Sequence, residues 1–61
     1  MLDYTFEETK GKMVFLKLDE DGDINTEFMK IDTLNDYQKL ESVVLEYEKQ
    51  GILEEYFIYQ D

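Results

Sequence analysis

Four carboxylates crowd the run Asp19-Glu20-Asp21-Gly22-Asp23, and clustered carboxylates can serve acid–base catalysis or calcium binding. Asp alternating before Gly, with Ile two residues on, resembles the centre of a calcium loop. With Gly22 in the glycine position, however, the first ligand falls on Lys17 and the bidentate position on Phe28. Neither side chain suits the ion, and the flanks read as strands where a calcium loop has helices. A charged hairpin turn is the simpler reading, with at most weak, non-specific attraction for divalent cations. Catalysis finds as little to work with. The chain holds no His, Cys or Arg, and its predicted body has only Thr26, Thr33 and Ser42 as hydroxyl nucleophiles. Sixty-one residues leave little room for a cleft. No enzyme activity, metal or cofactor is expected.

What remains is charge combined with rings. Sixteen Asp and Glu against six Lys give a formal charge of −10, yet nine residues are Phe or Tyr and 43% are hydrophobic. Disordered acidic segments lack that apolar mass, so a folded body with an acidic coat is expected. The charge exceeds the ~2–8 that solubility asks of a small domain, and its self-repulsion opposes folding. Such a coat repels nucleic acid and attracts proteins that bind it. A duplex carries one negative charge per ~1.7 Å of axis. Alternate residues on a strand lie ~6.6 Å apart, so rows of Asp and Glu can imitate rows of phosphates. Exposed ion pairs contribute little by themselves, so a mimic also needs an apolar anchor, and rings among carboxylates supply one.

The whole chain, 1–61, reads as a single acidic domain. A domain of this length buries only ~60% of its unfolded surface. Without Cys or His, neither a disulfide nor a zinc site can supplement the core. Self-association is the remaining route, and a homodimer is expected. The longest unbroken apolar runs, Met13 to Leu16 and Tyr56 to Tyr59, are four residues, too short to span a membrane. With no basic, apolar-cored leader either, an intracellular protein is expected.

Leu2, Tyr4 and Phe6 alternate with polar residues, which predicts an optional first strand. Lys12 to Leu18 is a stronger strand, apolar on both faces. After the acidic turn, where Gly22 supplies positive φ, Ile24 to Ile31 returns as the second arm of a hairpin. Asp32 or Thr33 suits a helix N-cap, and Asp36 places a carboxylate at the positive end of the dipole. Leu34 to Gln50 runs without Gly or Pro to Gly51, a natural left-handed terminator. Tyr37, Leu40, Val43, Val44 and Tyr47 form a stripe roughly 120° wide, the expected core face. Leu34 and Leu45 fall outside it, on a flank beside Tyr37 that also carries Glu41 and Glu48. Ile52 to Tyr59 reads as a closing strand apolar on both faces, which a strand wet on one side should not be. The fold class is therefore α+β: a small antiparallel sheet with one helix on one face, the other face wanting a second subunit.

The stretch Asp19 to Leu40 resembles the small uracil-DNA glycosylase inhibitor of short-tailed Bacillus phages. The likeness runs ungapped through Asp19-Glu20-Asp21-Gly22, Glu27-Phe28 with Lys30, and Leu34-Asn35-Asp36-Tyr37. It covers about a third of the chain, and the final strand here is longer and more aromatic than that family's. The resemblance implies a dimeric DNA mimic seated in the enzyme's DNA-binding groove, in the cytoplasm of an infected bacterium. There an aromatic residue at the start of the helix helps capture the apolar side chain that the enzyme wedges into DNA. Tyr37 stands at that position, where the family has Phe. Glu27 matches a family Glu, whereas Gln38 replaces another and loses its charge. The partner-binding residues so implied are Glu27, Asp36, Tyr37, Gln38 and Glu41, to which the apolar flank of the helix adds Leu45.

Composition also fits a DNA mimic aimed at a restriction enzyme, a CRISPR effector or RNA polymerase. A regulator that docks through an edge strand, or a structural module with no separate activity, would share the same elements.

Overall fold

Strand β1 (Lys12–Glu20) lies at the middle of a three-stranded antiparallel sheet, between β2 (Asp23–Ile31) and β3 (Leu53–Tyr59). The computed structural model describes residues 2–59. β1 and β2 pair without interruption from Lys12 opposite Ile31 to Glu20 opposite Asp23, so only Asp21 and Gly22 make the turn. Their φ values, 52° and 92°, are those of a two-residue hairpin turn whose twist matches the strands, and Asp-Gly is suited to it. The Gly22 N–H donates to Asp19 Oδ1 at 3.0 Å. The acidic run is a hairpin turn.

Helix α2 (Leu34–Gln50) has the limits its sequence predicts. Thr33, rather than Asp32, is the N-cap, and it forms a reciprocal capping box with Asp36. Thr33 Oγ1 accepts the Asp36 N–H at 3.2 Å, while Asp36 Oδ2 accepts the N–H groups of Asp32 and Thr33 at 3.0 Å each. Gly51, at φ 74°, ends the helix. Its N–H reaches the Glu48 carbonyl at 3.1 Å and the Ile52 N–H reaches that of Tyr47 at 3.2 Å, a paired bonding pattern that favours glycine at the turn.

The N-terminal strand expected over Leu2 to Phe6 does not form. Phe6–Thr9 is instead a short helix, α1, capped by Thr5. The Thr5 N–H donates to Glu8 Oε1 at 2.8 Å, and the Glu8 N–H returns to Thr5 Oγ1 at 3.2 Å. The sequence Thr5-Phe6-Glu7-Glu8 carries this capping-box pattern, and it overrides the weak alternation before it. Leu2 and Phe6 pack on the core rather than pairing with the sheet. Thr9 is fully buried, and its hydroxyl donates within α1 to the carbonyls of Thr5 and Phe6.

The core lies between α2 and one face of the sheet. Val14, Leu16 and Leu18 of β1, Ile31 of β2, and Leu40 and Val44 of α2 are buried there as one cluster. Tyr37, Val43 and Tyr47 close its margins, half-buried. In β3 a register shift leaves Glu54 without a counterpart, since Lys17 pairs with Glu55 and Leu18 with Leu53. That bulge lets Leu53, Tyr56 and Ile58 all face the helix, while Phe57 and Tyr59 face away. The described residues contain no helix long and apolar enough to cross a membrane.

Two substitutions gauge this framework by urea unfolding. Leu40→Ala, in the centre of the core, is expected to remove about 2–5 kcal/mol, which is most of what so short a domain possesses. Thr33→Ala should cost about 1 kcal/mol through its lost cap, with an unchanged slope of stability against urea.

Candidate functional site

Helical spacing places Leu34, Gln38, Glu41, Leu45 and Glu48 in one line along α2, beside the core stripe. Leu34 and Leu45 are 53% and 52% exposed, and Glu41 and Glu48 are exposed between and beyond them. Gln38 is exposed in the same line. This flank joins apolar side chains to carboxylates: Lys39 projects elsewhere on the wheel, and Lys49, one turn beyond Leu45, borders the flank only at its C-terminal end. It can offer hydrophobic contact to a neighbour while its charge selects for a basic one.

Tyr37 lies at the boundary between flank and core, and it is less free than an isolated anchor would be. Its hydroxyl donates to the Tyr4 carbonyl at 2.5 Å, and its ring meets Phe6 edge-on, centroids 5.9 Å apart. The N-terminal segment is held in turn by Tyr4 against Tyr56, centroids 5.8 Å apart, and by the Asp3 N–H donating to Tyr56 Oη at 3.0 Å. Burial raises the Tyr37 phenol above its ordinary range, with the charges of Glu41 and Glu8 adding to the effect. The phenol stays a neutral donor at physiological pH, and what faces outward is part of the ring.

Asp36 and Glu27 lie apart from this flank. Asp36 occupies the N-cap box, where the N–H groups of Asp32 and Thr33 stabilise its carboxylate and lower its pKa. Glu27, on the helix-facing side of β2, accepts the Tyr47 hydroxyl at 2.6 Å and 2.7 Å through its two oxygens. Glu27 is exposed and Asp36 half-buried, and both support local structure. Of the six residues singled out from sequence, then, Tyr37, Gln38, Glu41 and Leu45 share one region. Asp36 and Glu27 border the opposite side of α2. Leu34 belongs with the first group, and its wheel position gives the signal. The ties of Tyr37 to Tyr4 and Phe6 span more than thirty positions and have no signal in the local sequence.

No family model matches the chain, and no curated protein or solved structure matches it either.

The Tyr47–Glu27 pair makes stability depend on alkaline pH. The hydrogen bond to Glu27, then burial, then the charges of Glu27 and Glu20, push the Tyr47 phenol up to about 12. An unfolded phenol ionises near ~10, so the folded state holds this proton more tightly. The resulting stabilisation is complete below that pH and is lost as pH rises towards 12. Unfolding midpoints in urea should therefore fall over this interval, and Tyr47→Phe should lessen the fall. An equally steep decline in that variant would remove Tyr47 as its source.

Proposed function

We propose that this chain is an inhibitory DNA mimic that occupies the DNA-binding groove of a host uracil-DNA glycosylase. It acts as a homodimer, without enzyme activity, in the cytoplasm of a phage-infected bacterial cell. The observation that carries this reading is the α2 flank: exposed Leu34 and Leu45 in line with Glu41 and Glu48, on a chain of net charge −10. A groove that binds phosphates is lined with cations, and long-range attraction brings an anionic protein to it quickly. Charge alone gives little affinity once both surfaces are solvated. Leu45, Leu34 and the outward part of the Tyr37 ring supply the desolvated contact that would hold the complex. An enzyme that flips bases inserts side chains into the duplex, and this apolar strip suits one such side chain. Gln38 and Glu41 flank the strip, and Asp36 and Glu27 add to the field from the opposite side of the helix.

Uracil excision by purified glycosylase, with and without the protein, tests the reading. Inhibition is expected at low salt and should weaken steeply between about 50 and 200 mM salt. Tyr37→Ala should weaken it at least ~30-fold, the equivalent of a ~2 kcal/mol hot spot. Tyr37→Phe, which removes only the bond to Tyr4, should inhibit almost as well. Unimpeded excision at low salt under a large excess of protein would exclude this target. Retained inhibition by Tyr37→Ala would exclude Tyr37 as the anchor.

A further inference from the structure

The face of the sheet turned away from α2 carries four rings. Phe15 is at their centre, with ring centroids 5.7 Å from Phe28, 5.5 Å from Phe57 and 5.3 Å from Tyr59. One row of the sheet, Phe28–Phe15–Phe57, is aromatic across all three strands. Phe28 is 62% exposed, Phe57 41% and Tyr59 48%, with Ile24 on the same face at 52%. At 150–250 Å² for a whole aromatic side chain, these four residues present roughly 400 Å². These four residues alone supply about half of the ~800 Å² that each partner gives to a standard interface, and Met13, Phe15, Thr26 and the stems of Lys17 and Lys30 on the same face extend it.

The charge of this face differs from that of the rest of the chain. Strand alternation assigns it Lys17 and Lys30 together with Asp19 and Glu55, and the bulged Glu54, next to inward-facing Leu53, adds a third carboxylate, so two Lys stand against three acids. Setting these five aside, the remaining described residues hold twelve acidic side chains against four Lys, so most of the net charge of −10 lies on other surfaces. A basic partner would find little here to attract it, whereas a second copy can approach this face without meeting most of its own excess charge.

We propose that this aromatic face is the contact between two copies of the chain, related by a two-fold axis that passes near Phe15. An axis along the strands would set Lys17 against its own copy. An axis across the strands instead sets Lys17 against Met13 and Phe28 against Phe28, since the rows of Lys17 and Met13 lie symmetrically about that of Phe15. The second arrangement buries the rings without opposing like charges. Two sheets stacked in this way leave both α2 helices, with their acidic flanks, on the outside of the dimer. The contact does not depend on which protein the acidic surface binds.

Sedimentation equilibrium of the whole chain tests this proposal. The wild type should sediment at twice its 7.4 kDa mass, and added salt should hold or tighten the dimer by screening the outer charges. The glycosylase complex should respond to salt in the opposite direction, so failure of one reading is distinct from failure of the other. Phe28→Glu and Phe28→Lys should each raise the dimer dissociation constant at least ~30-fold, as loss of a hot spot would. An equimolar mixture of the two should regain a dimer, because Glu then meets Lys across the axis. Recovery in the mixture also shows that both variants are folded. A monomeric wild type, dimeric Phe28→Glu alone, or a mixture no tighter than either variant would overturn the proposal.

Discussion

Packing of Leu40 and Val44 against Val14, Leu16 and Ile31 is the contact on which the other features depend. All five are fully buried, and they join the single long helix to the central and edge strands of the sheet. One helix can cover one face of three strands. Because β1 is central and apolar on both faces, covering Val14, Leu16 and Leu18 turns Met13 and Phe15 outward. The fold thus settles its own core and at once creates a second apolar surface. Exposed rings here are a consequence of strand order, β2-β1-β3, rather than a fault in patterning.

The same packing separates charge by region. Carboxylates are excluded from the core and nearly balanced by Lys17 and Lys30 on the aromatic face, so most of the excess collects on the helix, the hairpin turn and the N-terminal segment. Several have local partners: Glu8 and Asp36 cap helices, Asp19 receives the turn's N–H, and Glu27 holds Tyr47. Each of these side chains supports local structure as well as contributing to the chain's formal charge. Part of the acidity that composition alone would assign to recognition therefore also supports the fold. The repulsion among the rest persists, and a two-layer domain of this size has little stability with which to oppose it.

Local signals revealed most of this architecture. The two-residue turn at Asp21-Gly22, the span of α2 and its terminator Gly51 all follow from residues adjacent to the features they create. In the N-terminal segment two local signals compete: Leu2, Tyr4 and Phe6 satisfy strand alternation, while the capping box at Thr5 and Glu8 starts the short helix that forms. The faces of β3 were hidden for a different reason. With both faces apolar, parity is the only guide, and the bulge at Glu54 changes it, bringing Leu53 and Tyr56 to the same side. In the candidate site, the line from Leu34 to Glu48 follows from helical periodicity. The restraint on Tyr37 does not, since Tyr4 and Phe6 reach it only through the tertiary fold.

Separate surfaces resolve a conflict between the two kinds of contact proposed for this chain. Self-association through an acidic face would add intermolecular repulsion to the repulsion already within each copy. Recognition of a basic groove through a nearly neutral aromatic face would forgo electrostatic steering. With the rings on one side of the sheet and the acidic flank on the helix beyond the other, neither contact consumes the surface of the other. The proposed dimer would bring two sets of carboxylates into one particle at a fixed spacing, which a single short helix cannot do. A duplex is recognised by its repeated charge, so a particle that repeats its own charge is the better imitation. The apolar flank between Leu34 and Leu45 remains open in each copy to supply the contact that charge alone does not give.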